Sequence, residues 1–138
     1  MKPGTLAAGL ALSVLALGCA SSKDQVLASG SQVQLRSYQT RAFDTTDKKT
    51  TLRSVIATLQ DLGFVMDKAD ETLGTVSATK MSGYLIRMTV TVRPRGATQM
   101  LVRANAQYQN EAIESPEPYQ DFFVALQKAM FLTAQQVD

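Results

Sequence analysis

The strongest constraint in this sequence is a stretch of strict alternation. Tyr84, Ile86, Met88, Val90 and Val92 are interleaved with Arg87, Thr89, Thr91 and Arg93. After Pro94-Arg95-Gly96-Ala97, which reads as a turn, Met100, Val102, Ala104, Ala106 and Tyr108 repeat the pattern against Arg103, Asn105 and Gln107. Successive side chains of a strand point to opposite faces, so this is a hairpin with one apolar and one polar face. Such a hairpin belongs in an antiparallel sheet, one face of which can stay in water while the other must be covered.

Two segments are patterned to supply the cover. Leu52, Val55, Ile56, Leu59 and Leu62 fall on one face at helical spacing, which predicts a helix over residues 47–62. Asp44-Thr45-Thr46-Asp47 offers side-chain oxygens for its free N–H groups, and Gly63 stands where a helix stops in a left-handed turn. Near the other end, Ser115-Pro116 opens a second helix over 116–135, with Tyr119, Phe122, Phe123, Leu126, Ala129 and Met130 as its apolar stripe. Phe123 and Phe131 cannot both face inward with Phe122, so one is expected to be exposed. Leu35–Phe43 reads as a first strand with Tyr38 inward. Phe64–Met66 and Thr75–Lys80 read as two more, joined by a polar turn over Asp67–Gly74. Asn110–Glu117 reads as a loop. The expected fold is α+β, in the order β-α-β-β-β-β-α, with two helices on one face of an antiparallel sheet.

Composition narrows the chemistry. The 138 residues suit one core, and the chain contains no histidine, no tryptophan and a single cysteine, Cys19. Ser-His-Asp and Cys-His catalysis are excluded, as are zinc sites of imidazole and thiolate and any disulfide within the chain. The formal net charge of +2 falls to +1 without Lys2, which gives no basic field of the kind nucleic acid requires.

The first eighteen residues explain the cysteine. Lys2 precedes an uncharged apolar run from Leu6 to Leu17, too short for a typical membrane span and of the proportions of a signal-peptide core. The run ends in Leu15-Ala16-Leu17-Gly18-Cys19, which resembles the lipobox of bacterial lipoproteins; Gly18 and Cys19 match it, and Ala16 departs from the usual leucine. The resemblance implies cleavage before Cys19 and lipid on its thiol, with acyl chains as a lasting anchor. The residue after Cys19 is Ala20 rather than the aspartate that often marks inner-membrane retention, so an outer-membrane, periplasm-facing location is expected. Residues 19–34, Ser-, Gln- and Ala-rich and aperiodic, read as the lipidated cysteine and a flexible tether, leaving 35–138 as the single domain.

The segment Tyr38–Lys80 carries a second likeness. A strand, a capped helix ending in Leu62-Gly63-Phe64, a strand, an acidic turn and then Gly74-Thr75-Val76 resemble the repeated domain of BamC, the C-subunit lipoprotein of the outer-membrane β-barrel assembly machine. The likeness spans about residues 36–134 and implies a helix-grip type of fold and a cell-envelope setting. BamC carries two such domains where this chain has one, so no binding residues are carried over.

Candidate sites are few. Asp67, Asp70 and Glu71, and Glu111, Glu114 and Glu117, are read as solvated turn and helix-start residues, at spacings that match no calcium loop. Arg87, Arg93 and Arg103 share the outward parity of the hairpin and form a candidate docking surface for a partner or for anionic headgroups, since guanidinium groups bind phosphate bidentately. No catalytic residue, metal or cofactor is expected. The expected function is that of a non-enzymatic lipoprotein of the outer membrane. It would act as a binding or scaffold module in envelope assembly or maintenance, held to the membrane through Cys19 and engaging an envelope protein. The alternative is a carrier holding a lipid or other apolar ligand between sheet and helices.

Overall fold

A computed structural model describes residues 3–4, 32–81 and 83–135. The apolar run of the leader, Cys19 and the chain up to residue 31 lie outside the described residues. The fold is α+β: among the described residues, an antiparallel sheet of six strands with three helices.

The described domain opens with a helix, α1, over residues 32–39. It is followed by β1 (Thr40–Phe43), α2 (Lys48–Asp61), β2 (Val65–Asp70), β3 (Thr75–Met81), β4 (Leu85–Arg95), β5 (Gln99–Tyr108), β6 (Glu111–Ala112) and α3 (Glu117–Gln135). The strands lie in the order β1-β5-β4-β3-β2, with the short β6 paired to β5 beyond the end of β1. The chain therefore makes a three-hairpin meander from β2 to β5, and β1 returns to its far side.

The central hairpin has the expected inward and outward parity, with Val90 opposite Ala104 and Val92 opposite Val102. It runs further than the sequence suggests, because Pro94 and Arg95 pair with Met100 and Gln99 and the turn shrinks to Gly96-Ala97-Thr98. Proline is tolerated there for a geometric reason. Val92 N–H donates to Gly74 O just ahead of β3, so the missing N–H of Pro94, two residues on, points past the end of β3.

Val76, Ala78, Met88, Val90, Val92, Met100, Val102, Ala104 and Ala106 form the buried side of the sheet. Helix α2 seals it with Leu52, Val55 and Leu59, and α3 with Tyr119, Phe122, Phe123 and Leu126. Asp47 caps α2: its carboxylate accepts from Thr50 N–H at 3.0 Å and from the Thr50 hydroxyl at 2.7 Å. Those bonds favour the ionised form and hold the Asp47 carboxyl below its ordinary pKa. Both Phe122 and Phe123 are buried, and Phe131 is the exposed member of the trio.

Several expectations change. Residues 32–34 are helical rather than tether, and Leu35–Gln39 is helix rather than strand. Leu35 and Tyr38, three apart, pack together against the core, and Gln39 is buried with its amide 3.3 Å from the Tyr119 hydroxyl. Asp67 to Asp70 is strand rather than turn, with an irregularity in register between Met66 and Lys68. Tyr84 stands outside β4 and is exposed, stacked edge-on against Tyr108 at 4.9 Å. The Asn110–Glu117 loop contains β6, entered through Gln109 and Asn110, both at positive φ, as a two-residue hairpin turn requires.

Candidate functional site

The sheet has two unlike faces. Among the described residues, no helix covers the side opposite the core. Its outward positions follow from the register as cross-strand rows. Thr40, Arg103, Thr91, Thr75 and Asp70 make one, and Asn105, Thr89, Ser77 and Lys68 the next. Gln107, Arg87, Thr79 and Val65 make the third, and Ala42, Leu101 and Arg93 a shorter fourth. Threonine suits such a surface because its branched carbon packs on a pleated strand while its hydroxyl stays wet.

The parity assignment of Arg87, Arg93 and Arg103 therefore holds: all three are on this face. They do not form a single cluster. Arg93 and Arg103 line one open groove of about 290 Å³ with Leu73, Thr91, Val92 and Asn105. Arg87 is four rungs away from Arg103, roughly 13 Å at strand spacing, beside Leu85, Gln107, Gln109 and Asn110. The Nε of Arg103 is buried and has no hydrogen-bond partner within the protein. The guanidinium groups of Arg93 and Arg103 that line the open groove are of the kind that binds anionic oxygens bidentately.

Charge on this face is one-sided. Lys68 and Arg95 join the three arginines, against Asp67 and Asp70. Both carboxylates are engaged locally, Asp67 by the Thr79 hydroxyl and Asp70 by Leu73 N–H at 2.9 Å. Of the other acidic candidates, Glu117 lies on the helix-bearing side, in a groove with Asp121, Ile86 and Met88. Glu71 lines a groove beside α2 with Lys49 and Arg53. Among the described residues, no three carboxylate, histidine or cysteine side chains are grouped to hold a metal ion.

The outward face also carries an apolar margin that the sequence reading did not single out. Val65, Met81 and Leu85 are exposed at 71%, 78% and 39%, and all three have outward parity at the same end of β2, β3 and β4. Tyr84 adjoins them. The available signal was parity, which puts Met81 with Ser77 and Thr79 and Leu85 with Arg87 and Thr89, but their adjacency needed the pairing of Met81 with Leu85.

On the core side, the space between sheet and helices is filled by Val55, Leu59, Val90, Val102, Phe122 and Leu126, each at 0% exposure. The largest groove there, about 650 Å³, opens at the surface between the start of α2 and the end of α3, with Phe43, Ser54, Met130 and Phe131 in its walls. No helix among the described residues is long and apolar enough to cross a membrane. Compared with known proteins, the chain matches no family model, and no curated protein matches its sequence significantly.

Proposed function

We propose that this protein is a lipoprotein of the bacterial outer membrane, anchored through Cys19. In this reading its domain works as a non-enzymatic binding or scaffold module in envelope assembly or maintenance. The leader and lipobox-like Leu15–Cys19 segment support the anchor. The observation that carries the binding role is the asymmetry of the sheet, sealed by α2 and α3 on one side and presenting Arg87, Arg93 and Arg103 on the other. A sheet that buries only one face needs no arginines on the other beyond what solubility demands. The grouping of Arg93 and Arg103 about one open groove favours a surface that receives an anionic group.

The test is crosslinking in intact cells. A photo-reactive residue at Thr89, central on the open face, should give adducts with an envelope component, protein or lipid, while one at Lys128 on α3 should not. Changing Arg87, Arg93 and Arg103 to serine should abolish the Thr89 adduct in a protein that remains folded. A Thr89 probe that captures nothing, or an adduct that survives the triple change, would contradict this reading.

A further inference from the structure

We infer that the open face binds a membrane surface directly, with the arginines on anionic lipid phosphates and the Val65–Met81–Leu85 margin in the headgroup boundary. The domain would then lie face-down on the bilayer that anchors it. The inference rests on the proposed anchoring at Cys19 and specifies what the open face meets.

Three features separate a lipid surface from a protein partner. First, no outward position of β1 to β5 carries an aromatic ring: the rows hold Thr, Ser, Asn, Gln, Arg, Lys, Asp, Ala, Val, Leu and Met. Protein interfaces concentrate their energy in buried Trp, Tyr and Arg anchors seated in pockets, and this face offers only arginine. Second, cations and exposed aliphatic side chains share the same face, the combination by which peripheral proteins sit at an anionic interface. Val65, Met81 and Leu85 cluster at one end as an aliphatic margin beside the cations. Third, the charge faces the right way. Basic side chains exceed acidic ones on the open face, while Glu117 and Asp121 are on the helix-bearing side, away from the proposed contact.

Distance also favours the contact. Twelve residues, 20–31, separate Cys19 from the first described helical residue, and a fully extended chain of that length spans about 40 Å. An anchored domain is thus confined within a few nanometres of the phosphates, where weak individual contacts act at high effective concentration. Each arginine near an anionic surface contributes a preference of roughly fivefold, so three together contribute on the order of 100-fold.

The absence of tryptophan provides the assay. Met81→Trp places a sole tryptophan on the proposed margin, and Val124→Trp, at a position 65% exposed on α3, places one on the opposite layer. The mature lipidated protein is reconstituted in vesicles of phosphatidylethanolamine with 30% phosphatidylglycerol, a proportion of roughly one anionic lipid in three. The Met81→Trp emission should shift to the blue and be quenched by brominated acyl chains, whereas Val124→Trp should stay aqueous. Serine at Arg87, Arg93 and Arg103 should return the Met81→Trp emission to its aqueous position, as should purely phosphatidylcholine vesicles. An unquenched Met81→Trp in protein that floats with the vesicles would overturn the inference and leave the anchor intact. Quenching of Val124→Trp in its place would also overturn it. Protein that fails to float and lacks acyl mass would overturn the anchoring reading on which the inference rests. A Thr89 photo-adduct to protein together with an unquenched Met81→Trp would assign the face to a protein partner and sink the lipid contact.

Discussion

Gly74→Ala should be among the most damaging single-methyl substitutions in the domain. Gly74 has φ +69°, and a Cβ built on it would lie 2.3 Å from Val92 O and 2.8 Å from Lys48 Cε. The lysine tip can swing away; the carbonyl belongs to a central strand and cannot. The left-handed conformation alone costs a non-glycine residue roughly 1–2 kcal/mol. Relieving the clash requires the two backbones to separate by several tenths of an ångström, which opens the 2.7 Å bond from Val92 N–H to Gly74 O and adds about 0.5–1.5 kcal/mol. The expected loss is about 1.5–3.5 kcal/mol, a large part of the roughly 5–15 kcal/mol a domain has. With a urea slope of about 1–3 kcal/mol per molar, the midpoint should fall by about 1–2 M. Gly96→Ala is the internal control: its φ is +61° and nothing lies within 4 Å of a built Cβ, so it should pay only the conformational cost. Coincident midpoints for the two variants would refute the reasoning, since they would show that the β2–β3 turn does not press on β4.

Other outcomes follow from the core, the buried polar bonds, the cap and the open face. Leu59→Ala, at 0% exposure on the buried face of α2, should cost about 2–5 kcal/mol in the same melt, and no disulfide within the chain offsets it. Tyr119→Phe should cost about 1–3 kcal/mol, because its hydroxyl donates to Ile113 O at 2.6 Å and accepts from the Gln39 amide and Ala106 N–H at 3.3 Å. Asp47 is held below its ordinary pKa by the Thr50 N–H and hydroxyl, so its share of stability is present above the ordinary carboxylate range and fades as pH falls through the lowered value. Asp47→Asn should therefore flatten the acid side of the stability curve. Serine at Arg87, Arg93 and Arg103 should move the melting temperature little, since surface changes away from special features cost within about 0.5 kcal/mol each. A collapse of that triple variant would mean these arginines are structural.

The parts of the fold legible in the sequence were those that bury an apolar face by local periodicity. The β4–β5 hairpin, α2 and α3 all stand where alternation or helical spacing placed them. Helix α1 was not legible, because eight described residues with Leu35 and Tyr38 as their inward side chains are too few to declare a period. It is held by packing and by a bond from Gln39 to Tyr119, 80 positions away. Asp67-Lys68-Ala69-Asp70 reads as a turn, yet pairing with β3 draws it into an edge strand despite its poor strand propensity. The outward parity of the three arginines was legible for the same reason as the hairpin. The gathering of Arg93 and Arg103 without Arg87 was not, because it depends on how the Leu73 turn folds across β4 and β5. The Gly63-Phe64…Gly74 pattern has a physical meaning. Gly63 and Gly74 both have positive φ, Phe64 is buried, and Gly74 is the point of closest approach to β4.

The anchor at Cys19 is tested most directly by intact-mass spectrometry of the protein extracted from cell membranes. The predicted species begins at Cys19, lacks residues 1–18 and carries acyl chains, and Cys19→Ser removes both the cleavage and the lipid. A wild-type protein that retains residues 1–18, or that begins at Cys19 with no acyl mass, would contradict it.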